Sequence, residues 1–434
     1  MDLFRVALPN PEQEITKAEI VSIGTELLLG QTLNTDARDL ARELSELGIN
    51  CYYQSVVGDN PERMEEVIRL SLKRSDLVIT TGGLGPTEDD ITMGVCAKIA
   101  GSELVYHAES ERRIKEFFAI RGLVPSDKSK KQVMLPSDAY IMPNDAGTAP
   151  GAVFNFEYNG QTRYLAVLPG PPMEMNLMFQ RELKPWLKRY SRHHLHHQYI
   201  RTVGIGESQL VAKITDIIHN QGLVSIAPYA SAGEVMLRLS VMAPHDMPID
   251  EVNALIQPVA EQIKERIDEY IYSEDNKPMA EVVLSLLTKE KAMVGFAESC
   301  TAGLAAAELA KIPGASRVLS GGVITYCNEL KHSLLGVSRE ILAREGAVSE
   351  SCAIAMAVGA RSLLKTDYAV SITGIAGPEG GSEVKPVGTV WIGISHRNGS
   401  FARSFLFAGD RNHIRKVSVL NALDLLRRCL LSRE

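Results

Sequence analysis

Residues 292–311 read AMVGFAESCTAGLAAAELAK, and this stretch decides the fold of the C-terminal third of the chain. The apolar run at 292–298 predicts a buried strand, and the alanine-rich run at 304–311 predicts a helix. Ser299 therefore lies at a strand end just before a helix N-terminus, where free backbone N–H groups and the helix dipole can activate a nucleophile and hold an oxyanion. Taken alone, the stretch favours a plain helix cap at Ser299 or Thr301.

A second strand-to-loop transition favours a catalytic site over a plain helix cap. Residues 318–326 predict a strand and residues 328–335 a helix, so Tyr326 lies at a strand end and Lys331 within the following helix. A serine nucleophile needs a base, and no histidine occurs in a triad-like setting. A lysine can act as the base if burial lowers its pKa, with Tyr326 relaying the proton or orienting the amine. Alternatively, Tyr326 is an edge residue of the core and Lys331 a surface charge.

The third transition is glycine-rich. Residues 368–373 predict a strand, and the loop GIAGPEGGS at 374–382 lets backbone amides approach a phosphate closely. Lys385 and Arg411 are candidate cations nearby, and Arg411 stands at the head of the last predicted helix. One such loop is a weak signal, but three loops that converge at the strand ends of one domain indicate a site.

The N-terminal half repeats β-α units. Strands are predicted at 18–23, 51–57 and 77–80, and helices at 35–47, 61–74 and from about residue 87. Repeats of this kind favour a parallel sheet with helices on its faces, which binds ligands at the carboxyl ends of its strands. We therefore expect an α/β multidomain protein, with a parallel-sheet N-terminal domain, a small middle α/β module and a C-terminal α/β domain.

The predicted boundaries follow composition shifts. They are a flexible extension at 1–16, an N-terminal domain at 17–172, a middle module at 173–271, a linker at 272–278 and a C-terminal domain at 279–434. Four histidines at 193–197 could form a metal site, but without a fixed helical spacing they are more typical of a surface loop.

Composition excludes several classes of protein. The 434 residues carry a net charge of −7, which argues against a nucleic-acid partner or an anionic membrane. The six cysteines form no CxxC pair, so neither a structural zinc nor a disulfide framework is indicated. We find no signal peptide and no apolar run of membrane-spanning length, and we expect a cytoplasmic protein.

A glycine-rich segment, TTGGLGPTEDDIT at 80–92, follows a predicted strand in the N-terminal half. Its glycines admit a phosphate near a helix N-terminus; they are Gly82, Gly83 and Gly85. Asp89 and Asp90 could hold a divalent metal that bridges phosphates, with Asp59 contributing from the end of the preceding strand. The alternative is a helix that begins at Thr87, with Thr87 as its N-cap and Asp90 completing a box-like arrangement.

Six motifs of the C-terminal third occur in order: AESCTAG at 297–303, TYCNELK at 325–331, GAVSE at 346–350, TGIAGP at 373–378, KPVGT at 385–389 and GDR at 409–411. Together they resemble the CinA C-terminal domain, a family that hydrolyses the amide of nicotinamide mononucleotide without a cofactor. The resemblance implies Ser299 as nucleophile, and Lys331 and Tyr326 as base and relay. It also implies that the substrate is bound or oriented by four further residues: Thr373, Gly374, Gly377 and Arg411. Cys300 is the rival nucleophile, and the resemblance favours Ser299.

In the N-terminal half, the segment at 80–92 joins GTELLLG at 24–30, NTD at 34–36, VGD at 57–59, GTAPG at 147–151 and LPGPP at 168–172. These motifs resemble the CinA N-terminal domain, which is similar to molybdopterin-binding MogA-type domains. In full-length CinA proteins the domain is associated with ADP-ribose hydrolysis to AMP and ribose 5-phosphate, dependent on a divalent metal such as Mg, Mn or Co. The likeness to MogA instead suggests a pterin- or nucleotide-binding module that regulates the amidohydrolase.

The resemblances together imply a homodimeric enzyme of pyridine-nucleotide recycling that acts on nicotinamide mononucleotide and ADP-ribose. A third hypothesis is a non-catalytic recruitment protein for DNA uptake, as the family's name suggests. The acidic charge and the intact motif around Ser299 argue against that role.

Overall fold

The computed structural model describes residues 14–124, 127–220 and 222–432, so positions 1–13 of the predicted extension lie outside the described residues. The strands are β1 (Lys17–Ile23), β2 (Asn50–Val57), β3 (Leu77–Thr81), β4 (Leu104–Tyr106), β5 (Met134–Pro136), β6 (Tyr140–Met142), β7 (Gly151–Tyr158), β8 (Gln161–Leu168), β9 (His193–Val203), β10 (Ser225–Ser231), β11 (Glu234–Pro244), β12 (Ile271–Ser273), β13 (Val294–Glu298), β14 (Leu319–Ile324), β15 (Tyr368–Gly374), β16 (Thr389–His396) and β17 (Gly399–Leu406).

The helices are α1 (Thr25–Leu28), α2 (Thr35–Glu46), α3 (Pro61–Arg74), α4 (Thr92–Ala100), α5 (Ala108–Ala119), α6 (Pro172–Met178), α7 (Lys184–Leu187), α8 (Glu207–His219), α9 (Ile249–Ile267), α10 (Met279–Glu290), α11 (Leu304–Ala310), α12 (Asn328–Leu335), α13 (Arg339–Arg344), α14 (Glu350–Leu364) and α15 (Arg411–Ser432). No helix in the described ranges is long and apolar enough to cross a membrane. The described residues divide into two compact units, one formed by those up to residue 196 together with 242–252, and the other by those of 197–241 together with those from 253 onward.

The first unit is built on a six-stranded sheet in the order β2-β1-β3-β8-β7-β6. Strands β2, β1, β3 and β8 pair in parallel, as the repeated β-α units predict. Strands β7 and β6 extend the sheet in antiparallel fashion. The hairpin between β7 and β8 turns at Asn159 and Gly160, which both have positive φ, the conformation that a tight hairpin requires.

Two sequence predictions for this unit differ from the structure. The helix expected from about Thr87 begins at Thr92, so Thr87 is not its cap. Instead, the backbone N–H and hydroxyl of Thr87 both donate to Asp90 Oδ2, which closes a loop rather than starting a helix. The first core also extends beyond the predicted boundary at 172, because it includes the buried residues Met175 and Trp186.

The middle module contains a four-stranded sheet in the order β10-β11-β9-β12. The histidine-rich segment at 193–197, expected as a surface loop, is the first part of β9. Pairing with neighbouring strands, which a local pattern does not reveal, fixes its extended conformation. The predicted linker at 272–278 likewise begins inside β12, which pairs with β9.

The C-terminal domain has a five-stranded sheet in the order β14-β13-β15-β16-β17. Strands β14, β13 and β15 are parallel, and β16 and β17 continue the sheet as an antiparallel hairpin. Strand β13 is buried along its whole length. The carboxyl ends of the three parallel strands meet at one edge of the sheet, and their loops carry the predicted site residues.

Candidate active site and nucleotide cleft

Ser299 and Lys331 are in direct contact. Ser299 follows β13, and its backbone N–H donates to the carbonyl of Ile372 on β15, which anchors the end of the strand. Lys331 lies in α12, and its Nζ is 3.0 Å from Ser299 Oγ. The nucleophile and the base predicted from sequence are therefore within hydrogen-bond reach of each other.

Lys331 is a buried lysine whose side chain is 1% exposed. Besides Ser299 Oγ, its Nζ contacts the backbone carbonyls of Thr325 at 2.7 Å and Tyr326 at 3.5 Å. Burial lowers the pKa of the Lys331 ammonium below its ordinary value, because desolvation disfavours the charged form. The alternative interpretation of Lys331 as a surface charge is therefore wrong.

The helix that follows Ser299 is capped by a residue upstream of it. The carboxylate of Glu298, which is fully buried, accepts from the backbone N–H groups of Gly303, Ala305 and Ala306 at 2.9, 3.1 and 3.0 Å. The expectation that the N–H groups at this helix start would be free for a substrate oxyanion is therefore wrong, because Glu298 already occupies them. Neither Ser299 nor Thr301 is the cap.

The side chain of Cys300 belongs to the core rather than to the chemistry. Its side chain is 5% exposed and lies in the main hydrophobic cluster of the domain. Desolvation by burial raises the pKa of the Cys300 thiol to about 11, so it stays protonated at neutral pH. A protonated, buried thiol is a poor nucleophile, which leaves Ser299 as the nucleophilic candidate.

Arg411, at the start of α15, links two of the predicted loops. Its guanidinium donates to the carbonyl of Gly377 and to the hydroxyl of Tyr326, both at 2.8 Å. The relay role predicted for Tyr326 is not supported, because its exposed side chain pairs with Arg411, and only its backbone carbonyl contacts Lys331.

The remaining predicted residues of this site lie on or after β15. Thr373 is buried, and its hydroxyl donates to the carbonyl of Ala347 at 2.8 Å, so the side chain is occupied in this state. Gly374 ends β15, where a Cβ would come within 2.8 Å of the Thr389 carbonyl. Gly377 has a φ of +74°, which favours glycine. These glycines shape the loop, and Thr373 holds it to the segment at 346–350.

Arg415 was missed by the sequence analysis. It lies one turn beyond Arg411 on α15, and its guanidinium donates to the carbonyls of Cys300 and Thr301 at 3.1 and 2.9 Å. The sequence signal that could have identified Arg415 is its spacing of four residues from Arg411, since residues four apart share a helix face. Arg415 thus holds the turn that carries Ser299.

The predicted N-terminal site forms a cleft of about 640 Å³ in the first unit. Every predicted residue of this site lines it: Gly82, Gly83, Gly85, Asp59, Asp89 and Asp90. Gly82 has a φ of +99°, and a Cβ there would meet the Ile23 carbonyl at 2.2 Å, so the loop backbone packs directly against the end of β1. Asp36, which the sequence analysis placed in the NTD motif without a role, lines the same cleft, as does Glu174, which the sequence analysis did not identify.

The cleft carboxylates are partly occupied by their own loops. Asp59 Oδ2 accepts from the N–H and hydroxyl of Thr25 at 3.0 and 2.9 Å, and Asp90 Oδ2 accepts from Thr87. Among the residues that the structure describes, no group of three or more His, Cys, Asp or Glu side chains is arranged to hold a metal ion. A divalent ion here would therefore take one or two of these carboxylates, with a substrate supplying the other oxygens.

Comparison with known proteins matches this architecture along the chain. Residues 19–189 match the family described as probable molybdopterin binding domain, residues 197–273 the damage-inducible protein CinA KH domain, and residues 276–430 the CinA C-terminal domain. The fold and sites thus define a multidomain α/β protein with a MogA-like domain, a KH module and a CinA C-terminal domain.

Relatives extend over almost the full chain. A CinA-like protein of Dictyoglomus thermophilum is 45% identical over 96% of this chain and 100% of its own length. A CinA-like protein of Kosmotoga olearia is 43% identical over 96% and 99%. A crystal structure of competence/damage inducible protein CihA from Agrobacterium tumefaciens is 41% identical over 35% of this chain and 93% of that one, with a TM-score of 0.34. This chain belongs to the CinA family.

Proposed function

We propose that the C-terminal domain is a serine–lysine amidohydrolase that converts nicotinamide mononucleotide to nicotinic acid mononucleotide and ammonia. The observation that carries the proposal is the 3.0 Å contact between Lys331 Nζ and Ser299 Oγ in a buried setting. The choice of substrate rests on the six motifs of the C-terminal third and on membership of the CinA family.

The hydrogen-bond partners of Lys331 suit a neutral amine. A neutral amine has two N–H donors and one lone pair. The carbonyls of Thr325 and Tyr326 can accept the two hydrogens, and the lone pair can accept the Ser299 hydroxyl proton. None of the described partners of Lys331 is a carboxylate, which would favour the ammonium form.

The reaction then follows as acyl transfer. Ser299 Oγ attacks the amide carbon while its proton passes to Lys331 Nζ. As the C–N bond breaks, Lys331 returns the proton to the departing nitrogen, and ammonia leaves an ester of the nicotinic acid mononucleotide on Ser299. Water, deprotonated by the same amine, hydrolyses the ester. One water is consumed and one ammonia released per turnover.

The oxyanion needs donors that the fold has not already used. In the turn after Ser299, the N–H of Ala302 donates to the Ser299 carbonyl, and the N–H groups of residues 303, 305 and 306 donate to Glu298. The N–H groups of Cys300 and Thr301 donate to no backbone carbonyl within the described ranges. They are the donors that we assign to the amide oxygen as it becomes negative.

The test is release of ammonia from nicotinamide mononucleotide by the purified full-length protein, with nicotinamide and asparagine as comparison substrates. We expect turnover of the mononucleotide and little of the other two, because the glycine-rich loop at 374–382 suits a phosphate. A protein with no activity on any of the three amides would refute the amidohydrolase.

A second function is proposed for the first unit, hydrolysis of ADP-ribose to AMP and ribose 5-phosphate. It is favoured by the glycine-rich loop and the carboxylates that line one cleft. One or two of Asp59, Asp89 and Asp90 would hold a divalent ion, which would supply positive charge against the pyrophosphate when bound. The glycine-rich loop offers backbone N–H groups to the phosphates.

The alternative for this unit is a pterin- or nucleotide-binding module, which the match to a molybdopterin-binding domain favours. The two functions are separated by incubating the protein with ADP-ribose and Mg²⁺, Mn²⁺ or Co²⁺. AMP formation that a chelator abolishes supports hydrolysis. Binding without AMP formation under any of the three ions supports the binding module.

A further inference from the structure

Asp36 is a buried carboxylate in the N-terminal cleft, and one of its oxygens has no hydrogen-bond donor among the described residues. It is the second residue of α2, lines the same cleft as the glycine-rich loop and is 7% exposed. Its Oδ1 is enclosed and accepts no hydrogen bond within the described ranges. An acceptor buried without a donor costs stability, so its position beside a cleft points to a donor supplied from outside the chain.

Among the other acidic side chains of the cleft, Glu26 and Asp89 are exposed to solvent, and the remaining three accept hydrogen bonds. Asp59 accepts from Thr25, Asp90 accepts from Thr87, and Glu174 accepts from the Asn144 amide at 2.7 Å. Burial, followed by the nearby Asp39 carboxylate, raises the pKa of Asp36 to about 6. Asp36 is thus largely ionised at neutral pH and acts as an acceptor.

The chemistry of the cleft limits what the missing donor can be. A phosphate would be repelled by the carboxylate. Holding a metal ion is the role proposed for Asp59, Asp89 and Asp90, and Asp36 joins no group of three or more potential metal ligands among the described residues. A ribose offers hydroxyl donors, and a carboxylate that accepts from a ribose hydroxyl occurs in other nucleotide-binding folds.

We propose that Asp36 binds the hydroxyls of a ribose 5′-phosphate unit whose phosphate lies against the loop of Gly82, Gly83 and Gly85. The inference rests on the nucleotide function proposed for this cleft and names the part of the substrate that it selects. Asp36 belongs neither to the glycine-rich loop nor to the carboxylates assigned to a metal. It is therefore an additional residue for substrate recognition.

The experiment measures binding rather than turnover. The full-length protein is titrated calorimetrically, with a chelator present, with AMP and 2′-deoxy-AMP, and with ribose 5-phosphate and 2-deoxyribose 5-phosphate. The wild type should bind the ribose form of at least one pair about tenfold more tightly than the deoxy form, since a hydrogen bond to a charged acceptor has that magnitude.

The variants are Asp36→Ala and Asp36→Asn, with Asp39→Asn as the control. Asp39 is on the same helix but pairs with Arg38 and is not part of the cleft lining. The preference for the ribose form over the deoxy form should disappear in Asp36→Ala and persist in Asp39→Asn. In Asp36→Asn, which keeps a weaker neutral acceptor, it should fall below about threefold. The asparagine variant preserves the test if the alanine variant does not fold.

The proposal is overturned if the wild type shows no ribose preference or binds neither pair, or if a folded Asp36 variant keeps the full preference. Its failure can be distinguished from failure of the proposed hydrolysis. A protein that prefers ribose through Asp36 but never cleaves ADP-ribose refutes only the hydrolysis. One that cleaves ADP-ribose without any ribose preference refutes only the role of Asp36.

Discussion

Replacing Lys331 by methionine should remove the base while keeping an unbranched side chain of similar length at a buried position. Lys331 Nζ is the one group in hydrogen-bond contact with Ser299 Oγ among the described side chains. General-base catalysis contributes about 10²- to 10⁴-fold to rate, so kcat/KM for ammonia release should fall by about that factor. This corresponds to a barrier increase of about 3–5 kcal/mol.

The pH dependence gives an independent readout. Because desolvation lowers the pKa of Lys331 from its ordinary value of 10.5, the neutral amine forms at a lower pH than in a free lysine. The kcat/KM of the wild type should therefore rise with pH through that lowered pKa and then level off. In Lys331→Met the residual rate should lack this transition. Lys331→Arg should be nearly inactive as well, because a guanidinium keeps its proton.

The free energy of unfolding should depend on the same ionisation of Lys331. Between the lowered pKa and 10.5 the unfolded chain binds more protons at Lys331 than the folded chain, so the folded state gains stability as pH rises. The free energy of unfolding of the wild type, relative to Lys331→Met, should increase across this window. The exposed Lys289→Met is the control for both assays. A Lys331→Met enzyme with near wild-type turnover, or a wild-type rate that is flat with pH, would refute the assignment.

Three further predictions follow, two for residues beside Ser299 and one for the cleft of the first unit. Ser299→Ala should lower ammonia release by about a thousandfold or more, whereas Cys300→Ala should retain most of it; the opposite ranking would move the chemistry to the thiol. Glu298→Ala should lower the free energy of unfolding in urea by at least about 2 kcal/mol, because it leaves three N–H groups without an acceptor, and an unchanged midpoint would contradict the capping role. Asp90→Ala should lose ADP-ribose hydrolysis and keep ammonia release; normal hydrolysis would show that Asp90 only closes its own loop.

The sequence predicted those features that depend on local pattern. Strands β1, β3 and β13 and helices α3 and α12 lie within about two residues of their predicted bounds, because buried apolar runs and helical spacing are local signals. The convergence of Ser299 and Lys331 was also predictable, since both follow parallel strands whose carboxyl ends share one edge of the sheet.

Features that depend on distant or competing partners were not predicted. The pairing of Thr87 with Asp90 has the spacing of a helix cap, and only the fold shows that it closes a loop before Thr92. The strand at 193–203 depends on pairing with β11 and β12. The role of Arg415 depends on where α15 packs, which its own sequence does not specify.

The separation of two buried ionisable side chains near Ser299, Glu298 and Lys331, explains how the lysine can act as a base. Glu298 and Lys331 are both almost fully buried, yet no salt bridge joins them among the described residues. Glu298 directs both carboxylate oxygens to backbone N–H groups of α11, and Lys331 directs its amine to backbone carbonyls and Ser299. A carboxylate in contact with Lys331 would raise its pKa and keep it protonated. Because the Glu298 carboxylate is hydrogen-bonded to the start of α11, it does not contact the Lys331 amine. The surroundings of that amine therefore favour loss of its proton.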